Sequence, residues 1–265
     1  MSSRFPTTIR LSLTELARHG GDTGPHGDGW GVGFYQGGDA LLMREPEAAH
    51  DSRWVQFLQE RPVPTQAAIA HIRRATQGEK LLRNTQPFAR ELGGRLHLFA
   101  HNGMSPGIEA DPRFPTQRFR RVGETDSEHA FCALLDRLAP LWDLGEPSHA
   151  EQLRVVRAFA AELRTLGPAN FLYSDGDVII AHGHQRRSDT GELGAPGLHL
   201  LCRSCSAGAE PHAAEALAGV SIDPQAQQEV ALLASVPLSA EPWQALAEGE
   251  LVVLRGGRVV QRLAP

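Results

Sequence analysis

The stretch Phe171-Leu172-Tyr173-Ser174-Asp175-Gly176-Asp177-Val178-Ile179-Ile180-Ala181 decides the fold class. Two short apolar runs enclose the polar turn Ser-Asp-Gly-Asp. Runs this short suit strands, and a turn built on Asp-Gly closes an antiparallel hairpin. The same grammar recurs on both sides. From Gly31 the chain reads Gly-Val-Gly-Phe-Tyr, then Gln36-Gly37-Gly38-Asp39, then Ala-Leu-Leu-Met before Arg44. Near the end, Leu251 to Leu254 and Arg258 to Val260 flank Gly256-Gly257. Further short apolar strands are predicted over 67–71, 96–100 and 198–202. Two helices stand out. One starts at Thr125 or Asp126, where Thr125-Asp-Ser-Glu128 has the form of a capping box, and carries Phe131, Leu134, Leu135 and Leu138 on one face. The other runs over 149–166 with Leu153, Val156, Ala160 and Leu163 as its stripe. Many hairpins and few long helices predict an α+β protein of antiparallel sheets covered by helices, not a doubly wound parallel sheet.

Composition narrows the function classes. The 265 residues carry a formal net charge of -5, and 41% are hydrophobic. No dense Lys/Arg cluster appears. The nearest, Arg113 to Arg121, is broken by Pro115, so no nucleic-acid partner is expected. No apolar run approaches ~18 residues, which argues against a transmembrane helix. The opening Met1-Ser2-Ser3-Arg4-Phe5-Pro6 lacks the apolar core of a secretory signal. Three cysteines imply no disulfide framework. These features predict a cytoplasmic protein with no membrane partner. No repeat or long linker interrupts the chain, so residues 1–265 are expected to form a single domain.

Three segments carry candidate chemistry: His71-Ile-Arg73-Arg74-Ala75-Thr76, His101-Asn102-Gly103, and Gly123-Glu124-Thr125-Asp126-Ser127-Glu128. Arg73 ends a strand, where a guanidinium can grip a carboxylate through two parallel hydrogen bonds; the plain alternative is a surface arginine. Asn102 and Gly103 place an amide NH2 beside a backbone N–H, the makings of an oxyanion hole; the alternative is an Asn-Gly hairpin turn. Asp126 can accept an ammonium, or cap a helix. Together they suit a ligand with a carboxylate, an ammonium and a carbonyl under attack, as in glutamine. The run Gly27-Asp28-Gly29-Trp30-Gly31-Val32-Gly33 lacks the lysine of a phosphate loop and reads as a tight loop with Trp30 packed near a site. Cys202-Arg-Ser-Cys205 with His199 has half the spacing of a zinc site, but no second ligand pair is evident, and neither metal nor cofactor is expected. Cys132 sits in an apolar helix face and reads as a small buried hydrophobe.

In this order and spacing the segments resemble the class II glutamine amidotransferases, the N-terminal-nucleophile type, and among them the small stand-alone members. The resemblance runs from Thr23-Gly-Pro-His-Gly-Asp-Gly-Trp-Gly31 to Glu241-Pro-Trp243 and Gly249-Glu-Leu-Val-Val253. It implies a four-layer αββα sandwich of two antiparallel sheets. It also implies that Arg73 and Thr76 bind the α-carboxylate of glutamine, that Asn102 and Gly103 form the oxyanion hole, and that Asp126 binds the α-amino group. Two departures stand out. The family's Asn-x-His-Pro reads Asn84-Thr85-Gln86-Pro87, with Gln86 for the histidine. The family opens Met-Cys, and the exposed cysteine supplies both nucleophile and α-amine base. This chain opens Met1-Ser2, as if begun about half a dozen residues after a Met-Cys-x-x-x-Gly start.

Three functions follow as expectations. The first is an enzyme that cleaves the side-chain amide of glutamine or of a γ-glutamyl compound, whose full-length form carries the cysteine that 1–265 lacks; a separate ammonia-acceptor enzyme could then be a partner. The second is an inactive glutamine-binding or regulatory module. The third makes Ser2 the nucleophile once Met1 is removed, although its offset from the family register opposes that.

Overall fold

The computed structural model describes residues 1–9, 27–187, 191–205, 220–221 and 228–265. Thr23 to His26, at the start of the family-like stretch, lie outside them. The strands in chain order are β1 (Ser2–Ile9), β2 (Trp30–Gln36), β3 (Asp39–Glu45), β4 (Thr65–Ile72), β5 (Phe88–Leu92), β6 (Arg95–Gly103), β7 (Ala169–Ser174) and β8 (Ile179–His182). They continue as β9 (Arg186–Arg187), β10 (Leu193–Gly194), β11 (His199–Cys205), β12 (Val220–Ser221), β13 (Gln228–Ala234), β14 (Gln244–Ala245), β15 (Leu251–Arg255) and β16 (Arg258–Leu263). Among the described residues three α-helices interleave: α1 (Arg53–Glu60), α2 (Asp126–Trp142) and α3 (His149–Leu163).

Among the described residues the strands form two large sheets and a small β9–β10 pair. One runs β14-β11-β13-β1-β4-β2-β3, with β12 also beside β1; the other runs β16-β15-β8-β7-β6-β5. Their pairings are antiparallel. The facing surfaces enclose Tyr35, Ile69, Leu98, Ile179, Leu200 and Val252. A Cβ on Gly33 would lie 2.4 Å from Leu98 Cδ1, so glycine there lets the sheets approach. The Tyr35 hydroxyl stitches them, donating to the Leu96 and Ser174 carbonyls at 3.0 and 2.9 Å. Helices α2 and α3 cover the outer face of the smaller sheet, where Phe99 stacks on Phe131 at 5.3 Å. Helix α1 covers the larger one through Val55 and Leu58 against Trp30, Val32 and Phe34. This is a four-layer αββα sandwich.

The hairpin that opened the sequence reading closes as its chemistry dictates. Asp175 Oδ1 accepts from the N–H groups of Asp177 and Val178, both at 3.0 Å, and Ser174 Oγ donates to the Val178 carbonyl. Two helix boundaries differ in detail. Helix α3 ends at Leu163, because beyond the cap at Arg164 the N–H groups of Thr165 and Leu166 turn to carbonyls three residues back. The expected capping box at α2 is only half formed. Thr125 Oγ1 accepts from Glu128 N–H at 3.2 Å, but the Glu128 carboxylate, 1% exposed, turns to Arg90 and to the N–H groups of Val122 and Gly123. A buried carboxylate needs a cation and several donors, which a helix cap alone does not supply.

Candidate active site

The predicted residues converge at one end of the two sheets. β4 delivers Arg73, which is 4% exposed. Its guanidinium donates to four carbonyls, those of Asp28, Gln77, Gly78 and Glu79, at 2.9–3.3 Å. Burial lowers its pKa, opposed by Asp28 and Glu124. The loop it holds is braced on both sides. Asp28 accepts from Ala75 N–H at 2.8 Å and pairs with Lys80 at 2.9 Å. Burial pushes the Asp28 carboxyl up, but these partners and Arg73 outweigh it and leave it below its ordinary value. Asn84, 1% exposed, ties the Glu79 carbonyl to Glu124. Thr76 lies exposed on this loop, and Arg74 beside Arg73 is exposed as well.

Asp126 begins α2 one residue after its cap. Its Oδ2 accepts from Ser105 N–H at 2.6 Å and its Oδ1 from Ser127 N–H at 2.7 Å. The Asp126 N–H reaches Gln77 Oε1 at 3.4 Å, so Gln77 touches both Asp126 and, through its carbonyl, Arg73. Thr125 does the capping, which leaves the Asp126 carboxylate to the loop that follows β6.

Asn102 and Gly103 are not a hairpin turn. They are the last residues of β6, paired with Asn170 and Ala169 of β7. Asn102 is exposed, and its Nδ2 donates to Ser235 Oγ at 2.9 Å. Its carbonyl accepts from the buried Asn170 amide at 2.9 Å, which also donates to the Gln185 carbonyl. Gly103 is held to glycine by crowding: a Cβ there would lie 1.9 Å from the Pro168 carbonyl oxygen and 2.5 Å from His101 Nε2. The His101 ring is buried and bonds Ser127 Oγ at 3.0 Å; burial lowers its pKa, opposed by Asp126. Hydrogen bonds thus chain the segments together, from Arg73 through Gln77 to Asp126, and on through Ser127 to His101 beside Asn102. The supporting residues Gln77, Asn170 and Ser235 lie in no motif of the sequence, whereas Ser127 belongs to the Gly123–Glu128 segment.

The other candidates lie elsewhere. Trp30 is core on the α1 side, with its Nε1 donating to Glu45 at 2.9 Å. It pairs across the sheet with Ile72, next to Arg73. Cys132 is sealed between α2 and the sheet, and burial pushes its thiol up to about 11. Cys202 lies on β11 and is exposed; the Cys205 side chain is outside the described residues, among which no three His, Cys, Asp or Glu side chains gather as a metal group. In the basic run after 112, Arg113 pairs with Asp111, Arg118 with Asp143 and Arg121 with Glu109. Among the described residues no helix is long and apolar enough to cross a membrane.

Two antiparallel sheets packed face to face between helices, with the polar cluster at their edge, define the N-terminal-nucleophile hydrolase class of sandwich. The glutamine phosphoribosylpyrophosphate amidotransferase of B. subtilis shares the fold at TM-score 0.58 and 14% identity, over 98% of this chain and 48% of its own. The family model for class II glutamine amidotransferases matches residues 1–264. The "Putative glutamine amidotransferase YafJ" of Escherichia coli (strain K12) is 36% identical over 255 residues, 94% of this chain and 93% of that protein. A crystal structure described as a "predicted glutamine amidotransferase" from Pseudomonas aeruginosa aligns at TM-score 0.67 and 31% identity, covering 98% and 97% of the two chains. The chain belongs to the class II glutamine amidotransferases.

Proposed function

We propose that the protein hydrolyses the side-chain amide of glutamine, or of a γ-glutamyl compound, through a cysteine thioester, and that the cysteine lies five residues ahead of Met1. The supporting observation is in the larger sheet. β1 runs between β4 and β13, and both neighbours extend past its first residue, β4 through Ile72 toward Arg73 and β13 through Ala234 toward Ser235. Ala70, His71, Ile72, Leu233 and Ala234 are only half-buried, although they belong to central strands. A strand that continues β1 backward covers both edges. In the register Ser2 opposite Ala67, the residue five positions ahead of Met1 falls opposite Arg73. The cysteine of a Met-Cys-x-x-x-Gly opening set directly before Met1 has that position.

The chemistry then runs as follows. The thiol sulfur attacks the amide carbon while the terminal α-amine takes the thiol proton and passes it to the leaving ammonia. Arg73 and Thr76 hold the substrate carboxylate, and Asp126 holds its ammonium. The oxyanion is met by Asn102 Nδ2 and by the Gly103 N–H, which strand alternation turns to the edge away from β7. Water then releases glutamate from the thioester, and ammonia leaves to solvent or to a separate acceptor enzyme. The groups of 1–265 are poor substitutes. Cys132 is sealed in the core, and Cys202 lacks an α-amine. Ser2 is 4% exposed, accepts from Gly257 N–H at 3.0 Å, and lies opposite Ala231, about 13 Å along β13 from Ser235.

A second reading, an amino-acid-binding module without catalysis, is favoured by the Asn102 amide being already bonded to Ser235. The two are separated by assaying ammonia release from glutamine and γ-glutamyl peptides, with 1–265 and a chain extended by a Met-Cys-x-x-x-Gly opening side by side. The extended chain is expected to release ammonia and 1–265 to release none. Asn102→Ala in the extended chain is expected to lower turnover about 100- to 1,000-fold. Activity in 1–265 that survives Ser2→Ala overturns the proposal. An extended chain that binds glutamine but cleaves no γ-glutamyl amide supports the module.

A further inference from the structure

Gln86 stands where the family motif carries histidine, and its side chain makes an arrangement with a consequence for the proposed oxyanion site. β5 pairs with β6 in the register Phe88 opposite Phe99, which ends at Phe88. Continued by two residues, that register sets Gln86 opposite His101. The backbone does not continue it. The Gln86 carbonyl, which would accept from His101 N–H in that register, turns instead toward Gly31, where an added Cβ would lie 2.3 Å from it. His101 would therefore present an N–H and a carbonyl to this edge with no strand to meet them. The Gln86 side chain meets both. Its Oε1 accepts from His101 N–H at 2.6 Å, and its Nε2 donates to the His101 carbonyl at 3.2 Å. Gln86 is 6% exposed, so water is a poor competitor for these groups. A primary amide carries the donor and acceptor of a peptide group, and here it acts as one more residue of β5.

We propose that Gln86 is a positioning residue that ends the β5–β6 ladder with its side-chain amide and thereby fixes the backbone of His101, so that the next outward N–H on that edge, Gly103, is held where an oxyanion forms. The proposal rests on the amidohydrolase reading for its catalytic half only. Gln86 touches neither Arg73 nor Asp126 through any of its bonds, so its loss should disturb the oxyanion donors and leave the substrate clamp intact. The surroundings favour a neutral group. Arg44 donates to the Thr85 carbonyl, one residue before Gln86, at 2.8 Å, and the buried His101 ring bonds Ser127 one residue after Asp126. An amide supplies both bonds without adding a titrating group to this set.

The test uses Gln86→Met, which keeps the length of the side chain and removes both bonds, and Gln86→Glu, which keeps the acceptor and removes the donor. Hydrogen exchange in 1–265 is read at His101, with Phe171 and Tyr173 of β7 as internal references. The expected order of His101 exchange is parent slowest, Gln86→Glu between, Gln86→Met fastest, with the β7 amides unchanged. In the extended chain, Gln86→Met is expected to lower kcat by up to about a hundredfold at nearly constant KM, the cost of a small misplacement of a catalytic group. Unchanged His101 exchange in both variants overturns the proposal, whatever the activity. A rise in KM equal to the fall in kcat/KM, with kcat intact, overturns the positioning of Gly103. An extended parent chain that releases no ammonia counts against the amidohydrolase reading, while the exchange order still decides the ladder. If Gln86→Met does not fold, the Gln86→Glu exchange alone decides it.

Discussion

Blocking the charge on the Met1 amine should change how stability depends on pH, and the structure sets the size of the change. The amine donates to the Ala68 carbonyl at 2.8 Å, while Ala68 N–H donates to the Met1 carbonyl at 3.0 Å. This is the paired hydrogen-bond pattern of two residues in an antiparallel ladder, made here by a chain-terminal amine where a strand would use a backbone N–H. Burial lowers the amine pKa from 8.0 to about 5. A base whose folded pKa is depressed takes up a proton on unfolding between those values, so stability falls as pH drops from 8 to 5. Three units correspond to about 4 kcal/mol in full, about 1.4 kcal/mol at pH 7 and about 2.7 kcal/mol at pH 6. The perturbation is Nα-acetylation of 1–265, which keeps a neutral N–H and removes the titration. Thermal or denaturant unfolding of the two forms from pH 8 to pH 5 is the assay. The acetylated form should melt about 5–10 °C higher at pH 6, with the two curves nearly meeting at pH 8. The buried histidines titrate in both forms and cancel in the difference. Parallel stability curves across that window would refute the argument that Met1 fills a strand position.

Further outcomes are expected. Gly103→Ala should cost about 1–3 kcal/mol or more of stability, since its Cβ meets the Pro168 carbonyl at 1.9 Å, whereas Gly38→Ala, with its nearest contact at 3.6 Å, should be close to neutral; unfolding midpoints compare them. Arg73→Ala in an extended chain with its nucleophile disabled should weaken glutamine binding by about 2–3 kcal/mol in calorimetric titration; equal affinity removes Arg73 from the carboxylate site. Thr125→Ala should destabilise by about 1 kcal/mol through loss of the α2 cap, with no effect on Glu128 burial, as read by chemical denaturation. His182, with its pKa lowered by burial from 6.5 to about 4, should contribute about 3 kcal/mol of acid destabilisation as pH falls through that range; replacing it with glutamine should flatten the slope there.

The hairpins were legible because their turns announce them: Ser-Asp-Gly-Asp, Gly-Gly and Gly-Gly-Asp each close a pair of strands in the structure. The strand at 96–100 was seen short, since its continuation His-Asn-Gly is polar and reads as a turn, while the ladder to β7 holds it extended to Gly103. β1 was missed altogether. Ser-Ser-Arg-Phe-Pro-Thr-Thr-Ile has no alternation and only Phe5 and Ile9 as large apolar residues, and its strand conformation comes from pairing with β4 and β13. β13, Gln-Glu-Val-Ala-Leu-Leu-Ala, is rich in good helix formers, and tertiary pairing overrides them. The charged candidates Arg73 and Asp126 stand out in the sequence by residue type and order, and the fold links them through Gln77. The supports Gln77, Asn170 and Ser235 do not stand out, because they act through hydrogen bonds to residues distant in sequence that only the folded chain brings into reach. Gln86 was visible as a departure from the family pattern, but its bonds to His101 follow from where β5 stops.

In the proposed reaction a cysteine five residues ahead of Met1 forms a thioester opposite Arg73. The most direct measurement is peptide mapping by mass spectrometry of the extended chain, acid-quenched during its first turnover of glutamine. A γ-glutamyl group on the N-terminal cysteine, absent when that cysteine is serine and reduced in Asn102→Ala, is the expected result. Ammonia release with the group on Cys132 or Cys202, or with no covalent adduct in a chain whose N-terminal cysteine has been replaced by alanine, would contradict it.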